Sequence, residues 1–183
     1  LVERKGKADA GAIGAVVFGS DQGLVGQFND VVADFAITAL AALPGKPQVW
    51  AVGERVCARL TDAELPLMGI FAVPKSVQAV TPLVGQILVE SEMRRSQGEI
   101  NELHLFYNRP TSGAGYAPVS QRLLPLDEKW RRKLAELPWP EVNLPEVMGS
   151  GAGTLRALIH EYLFVSLFRA CTESLASENA SRL

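Results

Sequence analysis

FGSDQGLVGQFND, residues 18–30, is the stretch whose reading decides the fold. An apolar run, GAIGAVV at 11–17, leads into it, and an amphipathic segment, VVADFAITALAAL at 31–43, leads out. Strand, glycine-bearing turn and helix form the frame on which phosphate cradles are built. The letters of the turn argue against a cradle. The dinucleotide fingerprint needs G-x-G-x-x-G. Counted from Gly19 the residues run G-S-D-Q-G-L-V-G, so Asp21 stands where glycine must let a pyrophosphate approach. The P-loop needs G-x-x-x-x-G-K-[ST], yet Leu24 stands at its second glycine and no lysine follows. Asp21 would also repel phosphate, and is itself an anion suited to a helix N-terminus. The turn therefore reads as architecture. Ser20 or Asp21 is expected to cap the following helix, and Gly23 and Gly26 to let that helix pack closely on its strand.

The pattern extends outward from this junction. GAVVF at 14–18 is a short buried strand bounded by glycine. Leu24, Phe28, Val31, Val32, Phe35 and Ala39 recur at helical spacing, which predicts a helix over about 24–42, stopped by Leu43-Pro44-Gly45. QVWAV at 48–52 and GIFAV at 69–73 read as further buried strands, separated by a short helix at 54–60. Thr81-Pro82 reads as an N-cap followed by a first-turn proline. That helix runs to about Ser96 with Leu83, Ile87 and Leu88 inward, and Gly98 stops it. LHLFY at 103–107 is a fourth strand. Alternation of this kind, with strands this apolar, calls for a parallel sheet covered by helices on both faces. After a turn-rich loop at 108–117, VSQRLLPL at 119–126 follows with no intervening helix. It is expected to return antiparallel at an edge, where Pro125 is tolerable.

Residues 127–153 read as a polar surface excursion with a helical turn near 129–137. From Thr154 to Leu183 the chain runs without Gly or Pro. Thirty such residues make a helix of about 45 Å. Its first half is apolar nearly all round and its last part is polar, so it is expected to bury against the sheet first and then leave the domain, still helical at Leu183. The expected division is 1–153 for the α/β domain and 154–183 for the outgoing helix.

Composition narrows the function. Of the 183 residues 48% are apolar and 21% charged, with a net charge of −2. That gives no basic signal for nucleic acid. Cys57 and Cys171 lie far apart without metal-ligand spacing, and both read as reduced core thiols. His104 reads as a strand histidine and His160 as part of a solvated helix face. No G-x-S-x-G or clustered His/Cys/Asp/Glu set is present. Arg169 with Glu173, and Glu178 with Arg182, are helix-supporting pairs four residues apart. No apolar run reaches the ~18 residues of a membrane span. The first residue is Leu1, which suits a piece of a longer protein.

Two features remain unexplained by ordinary chemistry: an overlong last helix, and a glycine turn with nothing to bind. Both occur in one family. SDQGLVGQFN, from Ser20 to Asn29 through Asp21, Gly23 and Gly26, resembles the S-D-x-G-L-C-G-x-x-N signature of the gamma subunit of rotary F-type ATP synthases. EYLFVSLFRACTESLASENASRL is similar to that family's second signature, with Glu161, Tyr162, Arg169, Glu173, Ser174, Glu178, Asn179 and Arg182 at its marked positions. FYNR at 106–109 resembles its Y-N-K/R strand end, and LLPL at 123–126 its closing edge strand. Gln22 stands where arginine is usual, Val25 where cysteine is usual, and Phe18-Gly19 where a short polar residue is common. These departures suggest a divergent branch such as the alternate F-type ATPases of some prokaryotes.

The resemblance implies a three-layer α/β/α sandwich on a mixed five-stranded sheet whose last strand is antiparallel. It implies that the last helix is the start of a coiled-coil shaft whose other parts lie before Leu1 and after Leu183. It also implies a rotor subunit without a catalytic site, cofactor or metal of its own. Such a subunit passes torque between a membrane c-ring and the alpha3beta3 catalytic hexamer, beside an epsilon subunit. It would sit peripherally at the cytoplasmic face of a prokaryotic plasma membrane. WPEVNLPEV at 139–147 is expected near the ring or epsilon, with Trp139, Pro140, Glu141 and Asn143 as contacts. The rival readings are an anion- or nucleotide-binding enzyme domain using the turn from Ser20 to Gly26, and a regulatory domain of pyruvate kinase type.

Overall fold

The computed structural model describes residues 11–182 except Ala114, Asp127, Trp139, Leu144 and Pro145. Five strands form one sheet: β1 (Ile13–Phe18), β2 (Pro47–Val52), β3 (Leu67–Phe71), β4 (Glu102–Pro110) and β5 (Tyr116–Leu124). Their spatial order is β3-β2-β1-β4-β5. The first four run parallel and β5 returns antiparallel beside β4. β1 is central and every residue in it is buried, which accounts for its unbroken apolar run, since a parallel strand is covered on both faces. Register places Val16 between Trp50 and Leu105.

The helices are α1 (Phe28–Ala41), α2 (Glu54–Asp62), α3 (Val80–Ser96), α4 (Glu128–Glu136) and α5 (Gly151–Ser181). One face of the sheet carries Ile13, Ala15, Val17, Val49 and Ala51 against Val32, Ala33, Ala36 and Leu40 of α1 and Val56 and Leu60 of α2. The other carries Val16, Phe18, Trp50 and Leu105 against Leu83, Val84 and Ile87 of α3 and Leu163, Leu167 and Ala170 of α5. These are the three layers expected: a mostly parallel mixed sheet between two pairs of helices.

Several expectations shift. α1 begins at Phe28, four residues after Leu24. Leu24 instead has φ 61° and is 95% exposed, so it belongs to the turn and not to the apolar stripe. α3 is preceded by a 3-10 turn, Val77–Ala79. Thr81 and Pro82 therefore lie within its first turn, where proline costs no hydrogen bond. The loop expected at 108–117 contracts to a short connection, because β4 continues to Pro110 and β5 starts at Tyr116; Thr111 N–H donates to Gly115 O at 2.9 Å. β4 reaches that far because β5 pairs with it residue by residue from Tyr116 onward.

The largest correction concerns α5. It starts at Gly151, where Ser150 Oγ accepts from Gly153 N–H. Its apolar first turns are exposed, with Leu155 46% and Leu158 63% accessible, while Ser174, Ser177 and Glu178 near its end are buried. Burial thus runs opposite to the apolar-first expectation. Ser166, Ala170, Ser174 and Ser177 recur every three to four residues on the sheet side. Small side chains of that kind permit close approach, so the helix end that looks polar in sequence is the end that seats on the sheet.

Candidate functional site

The opening turn leaves β1 at the carboxyl end of the sheet, and its polar atoms bond to the chain itself. Ser20 is fully buried. Its N–H donates to Asn29 Oδ1 at 2.9 Å. Its hydroxyl accepts from Asn29 Nδ2 at 2.8 Å and donates to Gln22 O at 2.9 Å. Its carbonyl accepts from Arg55 N–H at 2.9 Å. Asp21 does not cap α1. That helix has Gln27 at its N-cap with no side-chain bond. Asp21 Oδ1 instead accepts from Glu54 N–H, the first residue of α2, at 3.1 Å. Its Oδ2 accepts from Val73 N–H beyond β3 at 3.0 Å. One carboxylate thus links the connections that follow β1, β2 and β3, and its negative charge sits at a helix N-terminus as the dipole favours.

The glycines divide differently from expectation. Gly23 has only Arg55 side-chain atoms at 3.5 Å or beyond, and Gly26 has open space around it. Close packing falls instead to Gly19 and Gly53. A Cβ on Gly19 would lie 2.3 Å from Val56 Cβ, and one on Gly53 2.6 Å from Ser20 O. Gly26 has φ 53°, a left-handed conformation that glycine adopts more readily than L residues do.

A second polar group joins this turn to α5. Asn108 of β4 is fully buried. Its Nδ2 donates to Phe28 O at 2.9 Å, at the root of α1 beside Asn29. Its carbonyl lies 3.0 Å from Ser177 Oγ, and Glu173 O lies 2.9 Å from the same hydroxyl. One residue therefore ties α1 on one face of the sheet to α5 on the other. Next to it Arg109 Nε donates to Glu173 Oε2 at 2.8 Å and Arg109 Nη2 to Tyr107 Oη at 2.7 Å. Arg169 Nε donates to Glu173 Oε1 at 2.8 Å. Burial opposes ionisation of Glu173, but hydrogen bonds from Arg169 and Arg109 outweigh it and hold the carboxyl below the usual carboxylate range. The bond to Glu173, then that to Tyr107, raises Arg109 above the ordinary guanidinium value.

The two signature stretches thus meet in space. Asp21 and Gln22 share a surface notch of about 500 Å³ with Lys75, Glu178, Asn179 and Arg182. Ser174 is buried in the seam, Glu178 pairs with Arg182 at 2.6 Å, and Glu161 lies on the exposed first turns of α5. Tyr162 is partly buried against the core on the α3–α5 face. Pro140, Glu141 and Asn143 are exposed, whereas Trp139 lies outside the described residues. His104 is buried on β4 with Nε2 2.8 Å from Glu102 Oε2, and His160 is exposed on α5. Burial pushes the Cys171 thiol up to about 12. Among the described residues no cluster of three or more His, Cys, Asp or Glu could hold a metal, and no helix is long and apolar enough to cross a membrane. Sequence reasoning missed the close packing at Gly19 and Gly53 and the bonding of Asn108 and Ser177. The recurrence of small residues at 166, 170, 174 and 177 is the signal that could have found the last.

These features define a class: a three-layer α/β domain whose long last helix is fastened to its own sheet by a polar seam. A family model described as ATP synthase matches residues 1–183. The ATP synthase gamma chain of Clavibacter sepedonicus is 32% identical over 177 residues, covering 91% of this chain and 58% of that relative. The gamma chain of Mycolicibacterium paratuberculosis is 30% identical over 199 residues, covering 100% and 62%. The fold is similar to the central stalk and c-ring structure of the Tetrahymena thermophila mitochondrial ATP synthase. That match has TM-score 0.68 and 19% identity, and covers 98% of this chain and 76% of that one. A rotor structure of the Euglena gracilis enzyme matches with TM-score 0.62 and 18% identity, covering 94% and 64%. The chain belongs to the ATP synthase gamma-chain family, and it spans about three fifths of the length of the curated relatives it matches.

Proposed function

We propose that this chain is the globular foot of the central-stalk subunit of a rotary F-type ATP synthase. It passes torque between a membrane c-ring and an alpha3beta3 hexamer, next to an epsilon subunit. It has no catalytic site of its own and binds neither nucleotide nor metal. It works peripherally at the cytoplasmic face of a prokaryotic membrane. Residues 1–153 form the foot and 154–183 the beginning of the shaft.

The observation that supports this reading most is α5, a 31-residue helix of about 46 Å at 1.5 Å per residue. Its end is seated on the sheet while its first turns stay exposed. A lever must be stiff where it is anchored, and close-packed interfaces transmit strain because they barely compress. The turn at Ser20 supports the same reading, since Asp21 spends both oxygens on backbone N–H groups of its own chain. The exposed segment around Pro140, Glu141, Val142 and Asn143 offers a surface for the ring or epsilon. The test restores the full-length subunit to an ATP synthase complex lacking it. Recovered ion pumping driven by ATP hydrolysis is expected. Hydrolysis without pumping, or no assembly, would overturn the reading.

A further inference from the structure

We infer that Arg109, acting with Asn108 through Glu173 and Ser177, sets the rotational and axial register of α5 on the sheet and so locks the lever to the foot. The inference rests on the rotor reading above for its consequence, but its geometry stands without it.

Between Ala170 and Ser177 the buried side chains of α5 are small: Ala170, Cys171, Ser174 and Ser177. None of them carries a branch that could interlock with a neighbour. Apolar burial is non-directional, so small residues hold a helix close to the sheet without saying where along its axis it stops. Hydrogen bonds supply that information, because they weaken steeply with misalignment. A slip of one residue moves a helix by about 1.5 Å and turns it by about 100°, enough to break the bonds Arg109 to Glu173 and Ser177 to Asn108 together.

Arg109 is itself held before it meets the helix. Its Nη2 bonds the hydroxyl of Tyr107, which is fully buried, and its guanidinium carbon lies 5.6 Å from the centre of that ring. The planar fork of arginine can hold Tyr107 and Glu173 at once, which a lysine ammonium cannot do in fixed geometry. Glu173 has both oxygens engaged, one to β4 and one to Arg169 on its own helix. Asn108 carries the constraint through the sheet, since its side chain bonds the first residue of α1 while its carbonyl faces Ser177. Arg109 is therefore a positioning residue acting on the shaft.

Spin labels test this in the full-length subunit in a Cys57→Ser background. One is placed through Val165→Cys on the exposed side of α5 and one through Arg122→Cys on β5, both accessible positions. Arg109→Met is expected to shift or broaden the label distance, and Ser177→Ala, the milder change, to do so less. Leu167→Ala, a core truncation in the same helix, is expected to lower the melting temperature while leaving the distance narrow. An unchanged distance in Arg109→Met, or equal broadening in Leu167→Ala, overturns the inference. In the assembled complex Arg109→Met is expected to keep ATP hydrolysis and lose pumping per ATP hydrolysed. Retained pumping overturns the lock even where the wild-type subunit restores coupling. If the wild-type subunit restores no coupling, the rotor reading fails, and the label distances still decide the register.

Discussion

Ser20 is inaccessible to solvent, and its N–H, hydroxyl and carbonyl all meet partners in the chain. That completeness predicts that the junction tolerates little change. Gly53 has φ 113° and faces the Ser20 backbone, so Gly53→Ala adds an impossible contact to an unfavourable conformation. Gly26→Ala meets only the conformational cost, since nothing lies within 4 Å. The left-handed penalty is about 1–2 kcal/mol and overpacking adds about 1–3 kcal/mol. Urea unfolding should therefore rank Gly53→Ala well below Gly26→Ala in stability. Asp21→Ala leaves the N–H groups of Glu54 and Val73 without their acceptor. The loss should be about 1–2 kcal/mol at neutral pH, and a variant as stable as the parent would contradict the bridging role. The turn was legible as a strand-to-helix junction because glycines and Asp21 exclude a phosphate cradle by their positions. Which helix Asp21 serves was not legible. Its partners lie 33 and 52 residues away, and local sequence carries no record of distances that long.

At the scale of elements, the seating of α5 governs behaviour. Glu173 is held below the ordinary carboxylate range, so the sign of its pH effect follows directly. Its contribution is fully present above the unfolded value of about 4.3 and is lost as pH falls through the lower folded value. Glu173→Gln should be less stable than the parent at pH 7, and the gap should close below about pH 4. Chemical denaturation at a series of pH values measures this, and a gap that widens on acidification would exclude the assignment. Cys171 is buried in the same seam with its thiol raised to about 12. It should resist thiol reagents at pH 8 until the chain unfolds. Periodicity located most of these elements because apolar spacing of 3.6 and runs of β-branched residues are local properties. It misplaced the buried half of α5. Serine counts as polar in any pattern, yet Ser174 and Ser177 are both small enough to be buried, and the Ser177 hydroxyl bonds backbone carbonyls.

For the whole molecule, the sheet joins two pairs of helices that share no continuous core, one cluster lying on each face. The polar route from Ser20 and Asn29 through Phe28 and Asn108 to Ser177 crosses between them. If the chain serves as a rigid foot without nucleotide chemistry, isothermal calorimetry with Mg-ATP should give no stoichiometric micromolar binding. Such binding would favour the enzyme-domain alternative. Deleting 139–147 should weaken assembly with c-ring and epsilon while leaving the melting temperature of the chain nearly unchanged, because its described residues are exposed. Unchanged assembly would remove that segment from the proposed interface.

The sequence by itself determined the element order, the parallel core with one antiparallel edge strand, the absence of a phosphate-binding pattern in the opening turn, and the resemblance that placed the chain in its family. Each is written in residues adjacent or a few turns apart. Only the tertiary structure decided that Asp21 serves α2 and not α1, that Gly19 and Gly53 are the close contacts, and that the polar end of α5 is the buried one. The physical reason is common to all three. They depend on which surfaces meet across the sheet, and a small or charged side chain changes from solvated to structural according to a partner dozens of residues away.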